Sequence, residues 1–368
     1  MWGNKFVKNK KFRFIFANEY DLNAIQAFRY NFPQIPLLEC SIENITKEML
    51  DNLGIVHNNI DIVIGGPPCQ SYSTVGKRQY DQRARMYEEY IRLLDILRPR
   101  MFIFENVTGI LTMKNDNNEP VLNDIHKIFD DIHGNGNFGY NIHQKVLNAK
   151  DYGVPQSRER VFIVGTRKDL NLNWVFPQRT HGDDNKLKDY LTVADAISDL
   201  PALENGEGET HYLFEPQNDY QFLMRYKSQE LYDHINGLNG EKILAVMNAV
   251  IQGEGKAYIN SLVENGDLDG RYYLTSGYDN TYGRLWWDRP STTITNSLGT
   301  PSALRCIHPL QNRALTTREG ARLQSFPDWF RFFGNKYNKN SQVGNAVPPL
   351  LAMELSKGVY RCLNEMEG

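Results

Sequence analysis

The stretch DIVIGGPPCQSYS, residues 61–73, runs a short apolar segment into two glycines, two prolines and a cysteine. An apolar run stopped by Gly and Pro reads as a buried strand with a loop at its carboxyl end. Gly65 and Gly66 would let another molecule approach the backbone, and Pro67 and Pro68 stiffen the loop. A cysteine held there is positioned as well as packed, and its thiolate would be a nucleophile.

The neighbouring text decides the fold. Upstream, FRFIFANEYD reads as a strand ending near Ala17, and Asp21 caps a helix LNAIQAFRYNF. Downstream, MYEEYIRLLDILR is an amphipathic helix ended by Pro99, MFIFEN a strand, NDIHKIFDDI a helix and RVFIVGT a strand. Strands alternating with helices predict an α/β fold with a mostly parallel, Rossmann-like sheet. The pattern loosens after Arg167, so residues 1–167 are expected to form a catalytic domain and 168–287 a smaller, irregular second domain. Residues 288–368 return to the first domain. There, Thr316 and Glu319 have capping-box spacing, and the last helix follows GNAVPP.

At 368 residues, with 41% hydrophobic and 23% charged side chains, the chain can bury a sizeable core. No apolar run approaches the ~18–20 residues that span a bilayer, and the first residues lack the apolar core of a secretory signal. Cys40, Cys69, Cys306 and Cys362 are scattered with no CxxC pair. That argues against a disulfide framework or zinc site and for a reducing, cytoplasmic setting. Cys40, Cys306 and Cys362 read as small buried hydrophobes. The net charge of −3 does not advertise nucleic-acid binding. Basic residues nevertheless outnumber acidic ones over 77–100 and 313–336, where local basic surfaces would suit a phosphate-bearing partner.

Three reactive side chains fall at strand ends: Cys69, Glu105 and Glu19, with Arg158 and Arg160 just before another strand. In open parallel sheets ligands bind beyond the carboxyl ends of the strands, so these groups would share one crevice. Taken singly, each also reads as a structural thiol, a capping carboxylate or a salt-bridge former.

GGPPCQSYS, ENVTGI, QSRERVFIVG, RPSTTIT and QVGNAVPP stand in the order of the cytosine-C5 DNA methyltransferases, and the chain resembles that family over roughly 14–167 and from 282 onward. The resemblance implies a covalent bond from Cys69 to C6 of a flipped-out cytosine, which makes C5 nucleophilic. It assigns Glu105 to the base edge at N3 and the exocyclic amine, and Arg160 to O2. Arg158 would orient Arg160 or hold a phosphate. The methyl donor implied is S-adenosylmethionine. Glu19 would bind its ribose, with Ser41, Ile42, Pro68, Asn345 and Ala346 completing the cofactor site. The partner implied is double-stranded DNA, met by a monomer. Gln70, Ser73, Lys77, Arg83, Gln156 and Arg284 are candidate DNA contacts. Tyr272, Tyr273, Tyr278 and Asn280 read equally as DNA contacts or as core and loop residues. Residues 168–287 would be the target-recognition domain, and family habit points to restriction–modification with a cognate endonuclease.

The chain departs from the family in one respect. The family opens with a strand and a Gly-rich loop that wraps the cofactor's methionine part, and that text is not found here. The missing strand would lie between those ending at Glu19 and Gly65. Bare sheet edges, exposed apolar faces and cofactor affinity weaker than micromolar by calorimetry are therefore expected. An internal start, a decayed gene or a piece supplied by a partner would each account for it. Rival readings are an RNA cytosine-C5 methyltransferase, a DNA-binding remnant without catalysis and, more distantly, a generic thiol enzyme.

Overall fold

The strand MFIFENV is almost wholly apolar because both of its faces are covered. In the computed structural model, which describes residues 12–55, 59–67, 86–115, 117–132 and 139–364, it is β4, Met101–Val107. Met101 and Ile103 pack with Phe162 and Val164 against Leu351, Leu355 and Val359 of the C-terminal helix, Pro349–Asn364. Phe102 and Phe104 face the other way, onto Tyr87, Tyr90 and Leu94 of the helix Met86–Leu97 and onto Ile125 and Phe129 of the helix Val121–Asp130. A strand buried on both sides loses the alternation of a half-exposed one.

Around β4 the order is β3 (Ile62–Gly65), β4, β6 (Glu159–Arg167), β5 (Tyr140–Asn148). β3 runs parallel to β4, whereas β6 is antiparallel to both β4 and β5. The four-stranded sheet is therefore mixed, not mostly parallel as the sequence predicts. The β5–β6 link is short and turns through a 3-10 helix, Ala149–Tyr152, so it makes a hairpin and no crossover.

β1 (Ala17–Asn18) and β2 (Leu37–Leu38) pair in parallel as a separate two-stranded sheet. The Asn18 side chain clamps them by donating to the carbonyls of Leu38 and Cys40. Helix α1, Leu22–Asn31, follows β1, and Asp21 caps it by accepting from Asn23 N and Ala24 N. Among the described residues β3 bonds only to β4, and Ile64 on it is 68% exposed.

Residues 168–287 carry four short helices and no named strand. Their first part does not stand apart: Leu172, Trp174, Val193, Ile197, Tyr220, Met224 and Leu231 belong to the main core. A satellite cluster forms only further on, where Val246, Met247, Val250, Ile259 and Leu274 enclose Ile307.

The helix Thr317–Leu323 is buried along its whole length. Thr316 and Glu319 make the predicted capping box, and Glu319 also takes Arg313 Nη1 and Nη2 at 2.8 and 2.6 Å. Burial pushes the Glu319 carboxyl up, but Arg313 outweighs it and holds the group well below the usual range. Arg318 and Arg322 are equally buried, so three of the five basic residues in 313–336 lie in the core, not on the basic surface expected. Buried acids pair them, which is the condition for keeping a charge out of water.

Beside this network His308 Nδ1 accepts from Leu310 N and Gln311 N, which fixes the neutral ring. Burial lowers its pKa to about 4 despite Glu319 nearby. The folded state thus binds fewer protons than the unfolded chain between the ordinary histidine pKa of about 6.5 and that value. Stability is full above this window and falls as pH drops through it. We expect a loss of about 2 kcal/mol from this residue at pH 5, read as a lower urea midpoint than at pH 7.

Among the described residues no helix is long and apolar enough to cross a membrane, and no cluster could hold a metal ion. Cys306 and Cys362 are buried and Cys40 half-buried, all as free thiols.

Candidate active site

The site is built at the carboxyl end of β3 and β4, where the antiparallel β6 begins. The Tyr90 hydroxyl donates to the carbonyls of Val63 and Ile103, stitching the two strands together. The ring then occupies the space beside Gly65: a Cβ there would lie 2.5 Å from Tyr90 Cε2. Gly66 faces the Glu105 carboxylate, whose Oε2 would be 3.0 Å from an added Cβ. The two glycines thus make room for the protein's own groups, where the sequence suggests room for another molecule. Gly66→Ala is expected to displace the carboxylate and lower turnover at least ~10-fold, because small misplacements of a reacting group are costly. Steady-state rates beside an unchanged far-UV spectrum check it.

Glu105 is paired in register with Phe162, so Arg160, two residues before Phe162, is its diagonal neighbour on the same face. Arg160 Nε lies 3.2 Å from Glu105 Oε1, and both side chains are largely buried. Burial raises the pKa of Glu105, and the guanidiniums of Arg160 and Arg158 offset this only in part. The site therefore holds a carboxyl that retains a proton to higher pH than usual, next to a fixed cation. Asn106, the next residue, is buried and donates to Pro67 O at 3.4 Å, tying β4 to the loop after β3. Sequence reading missed Asn106 and Tyr90; the only signal for the first was its place beside Glu105.

Cys69, with Pro68, Gln70, Ser73, Lys77 and Arg83, lies outside the described residues. Pro67, the last described residue before them, precedes Cys69 by two positions.

Other expected roles change. Arg158 is buried and donates to the carbonyls of Ile294 and Gly344, at 3.0 and 2.8 Å. It anchors the strand that carries Arg160 instead of holding a phosphate. Gln156 is buried too: it donates to Leu323 O and Gln324 Oε1 and accepts from Ile294 N. Arg284 donates to the carbonyls of Val250, Met247, His308 and Gln311. Neither reaches the surface, so neither is the DNA contact expected of it. Tyr273, Tyr278 and Asn280 are exposed.

The cofactor candidates stand at the ends of β1 and β2. Glu19 Oε1 accepts from the backbone N–H of Tyr20 and Asp21, which fixes the carboxylate. Its Oε2 makes no hydrogen bond among the described residues and fits a diol. Ser41 and Ile42 follow β2, half-buried, with Ser41 Oγ donating to Glu43. Asn345 is exposed and donates to Ser341 Oγ, while Ala346 N–H caps the helix Lys336–Asn345. Glu19, Ser41 and Ile42 thus lie beyond the carboxyl ends of β1 and β2, where α/β sheets take their ligands, and Asn345 and Ala346 lie at a helix end.

A family model described as C-5 cytosine-specific DNA methylase matches residues 4–361. The chain is 35% identical to Type II methyltransferase M.DdeI of Desulfomicrobium norvegicum, over 94% of this chain and 82% of that protein. It is 30% identical to Type II methyltransferase M.AgeI of Thalassovita gelatinovora, over 95% and 94%. Among solved structures, a protein described as a DNA modification methyltransferase encoded within an E. coli prophage superposes with a TM-score of 0.71. The sequences are 25% identical, and the match covers 95% of this chain and 92% of that one. Spodoptera frugiperda DNMT2 shares the fold, with a TM-score of 0.55 at 17% identity over 97% and 96%.

Proposed function

Because the chain belongs to the C-5 cytosine-specific DNA methylase family, we propose that it methylates C5 of a cytosine within a specific double-stranded DNA sequence. The observation that carries the reading is the buried carboxyl of Glu105, its pKa raised by burial, with one oxygen 3.2 Å from Arg160 Nε and the other facing Gly66.

S-adenosylmethionine, when bound, supplies an electrophilic methyl group. The chain's own residues do the rest. The target cytosine leaves the stack, since its ring edge is inaccessible inside a duplex. Cys69, as thiolate, adds to C6, so that electron density moves to C5 and N3. Glu105 hydrogen-bonds N3 and the exocyclic amine, and its raised pKa keeps a proton available where negative charge develops. Arg160 holds O2. Once C5 carries the methyl group, its proton passes to water, the C5–C6 double bond re-forms and Cys69 leaves as a thiolate. Glu19, Ser41, Ile42, Asn345 and Ala346 hold the nucleoside part of the donor, with Pro68 beside it. Ser73, Lys77, Arg83 and Gln70 contact the DNA. Residues 168–287 select the sequence, and a restriction endonuclease of the same specificity is the functional partner.

Incubation with labelled donor and either duplex DNA or tRNA tests this. Label recovered as 5-methylcytosine in DNA supports it. Label in tRNA alone, or DNA binding without any methylation, overturns it.

A further inference from the structure

We propose that Trp286, Arg289 and Arg305 form a phosphate-binding clamp for DNA flanking the target base, a proposal that rests on the DNA-methylating reading above. The Arg305 guanidinium lies 4.5 Å from the Trp286 ring centroid and that of Arg289 5.4 Å. One indole therefore organises two cations, each within cation–π range.

The platform is rigid. Gly253 sits at φ 84° against the indole, and a Cβ there would run into Trp286 Nε1. Gln252 Oε1 accepts from Trp287 N at 3.0 Å. Arg305 Nη1 donates to the carbonyls of Glu254 and Arg284, at 2.9 and 3.0 Å. The buried Arg284 in turn binds five more carbonyls.

Among the described residues Arg289 pairs only with Asp288, 3.9 Å away, and both side chains are well exposed at 64% and 79%. Arg305 makes no ion pair within 4 Å among them, and the Glu254 carboxylate acts on it from further off. Two guanidiniums brought to one ring repel each other, and an anion between them offsets that repulsion. The pair has a geometry suited to phosphate, which the planar guanidinium fork recognises well.

Position points to DNA at the catalytic rim. Two residues beyond Arg289, Ser291 bridges to Gln156, and Ser157 N donates to Ser291 O. Arg160 follows three residues after Ser157. Along that path the Cα of Arg289 is at most roughly 25 Å from that of Arg160. Over that length of duplex axis one strand carries about seven phosphates.

Anisotropy titrations of a labelled duplex across a salt series test the clamp with two variants at exposed positions. Arg289→Gln is expected to weaken Kd about 3–10-fold near physiological salt and to reduce the slope of log K against log salt by about 0.9, for any sequence. Asp288→Asn, which removes the competing carboxylate, is expected to tighten binding about 2-fold. If the parent binds with a steep salt slope that neither variant alters, the clamp alone is wrong. If the parent binds no duplex at any salt, the DNA reading fails and the clamp with it.

Discussion

Glu105→Gln is expected to cut methyl transfer by about 10²–10⁴-fold while leaving the fold in place. The amide keeps the shape of the carboxyl, and its oxygen can still accept from Arg160 Nε. What it loses is an exchangeable acidic proton at the position where charge grows on the base. The pH profile separates this from a structural defect. Burial raises the pKa of Glu105, so in the parent the protonated form is depleted, and activity declines, as pH climbs through that raised value. The glutamine variant has no such group and should show no decline from this source. An unchanged thermal midpoint with a lost limb and a lost rate is the expected pattern. A variant with parental activity would remove Glu105 from the chemistry.

The second large effect is on stability. Arg322 makes paired contacts to two fully buried acids: Nη1 and Nη2 to Asp199, Nε and Nη2 to Asp328. Arg322→Met leaves both carboxylates in the core, with Arg225 at 3.6 Å from Asp199 and Arg318 at 3.7 Å from Asp328 as the remaining cations. Breaking a buried pair in this way costs about 3–5 kcal/mol, a large part of a typical folding free energy. Little folded protein is expected at 37 °C. Replacing all three by apolar residues, Arg322→Met with Asp199→Leu and Asp328→Leu, is expected to recover only part of that loss, since Arg225 and the buried Arg318 then each lose a carboxylate, Arg318 keeping Asp233 at 4.0 Å. Urea midpoints of the two variants check both statements. A stable single variant would mean that the cluster is reached by water.

The parts of this fold legible in the sequence are those specified by neighbours in the chain. β4 shows as an unbroken apolar run because helices cover both its faces. Asp21 and the Thr316–Glu319 box show because caps act over two or three residues. β5 was not recognised as a strand: it lies at the sheet edge, and Gln144, Lys145 and Val146 in its middle are exposed. The arginines of 313–336 read as surface although Glu319 and Asp328 stand six positions from Arg313 and Arg322; what no local pattern states is that the segment packs into the core, where Arg322 also meets Asp199, 123 positions away. Gln156 and Arg284 mislead for the same reason. At the site, strand ends and the family resemblance locate Glu105 and Arg160. Their direct contact depends on the β4–β6 register, which no local pattern states, and so does the role of Gly66 as clearance for a carboxylate.

The account turns on whether the thiol of Cys69 bonds to a cytosine ring. Duplexes substituted with 5-fluorocytosine cannot release the C5 substituent after methylation, so such an adduct is trapped. The full chain, a pool of these duplexes and millimolar S-adenosylmethionine, followed by proteolysis and mass mapping, should yield a nucleotide adduct on the peptide containing Cys69, absent from Cys69→Ser. An adduct on another residue, or methylation of ordinary cytosine with no trapped species at all, would contradict it.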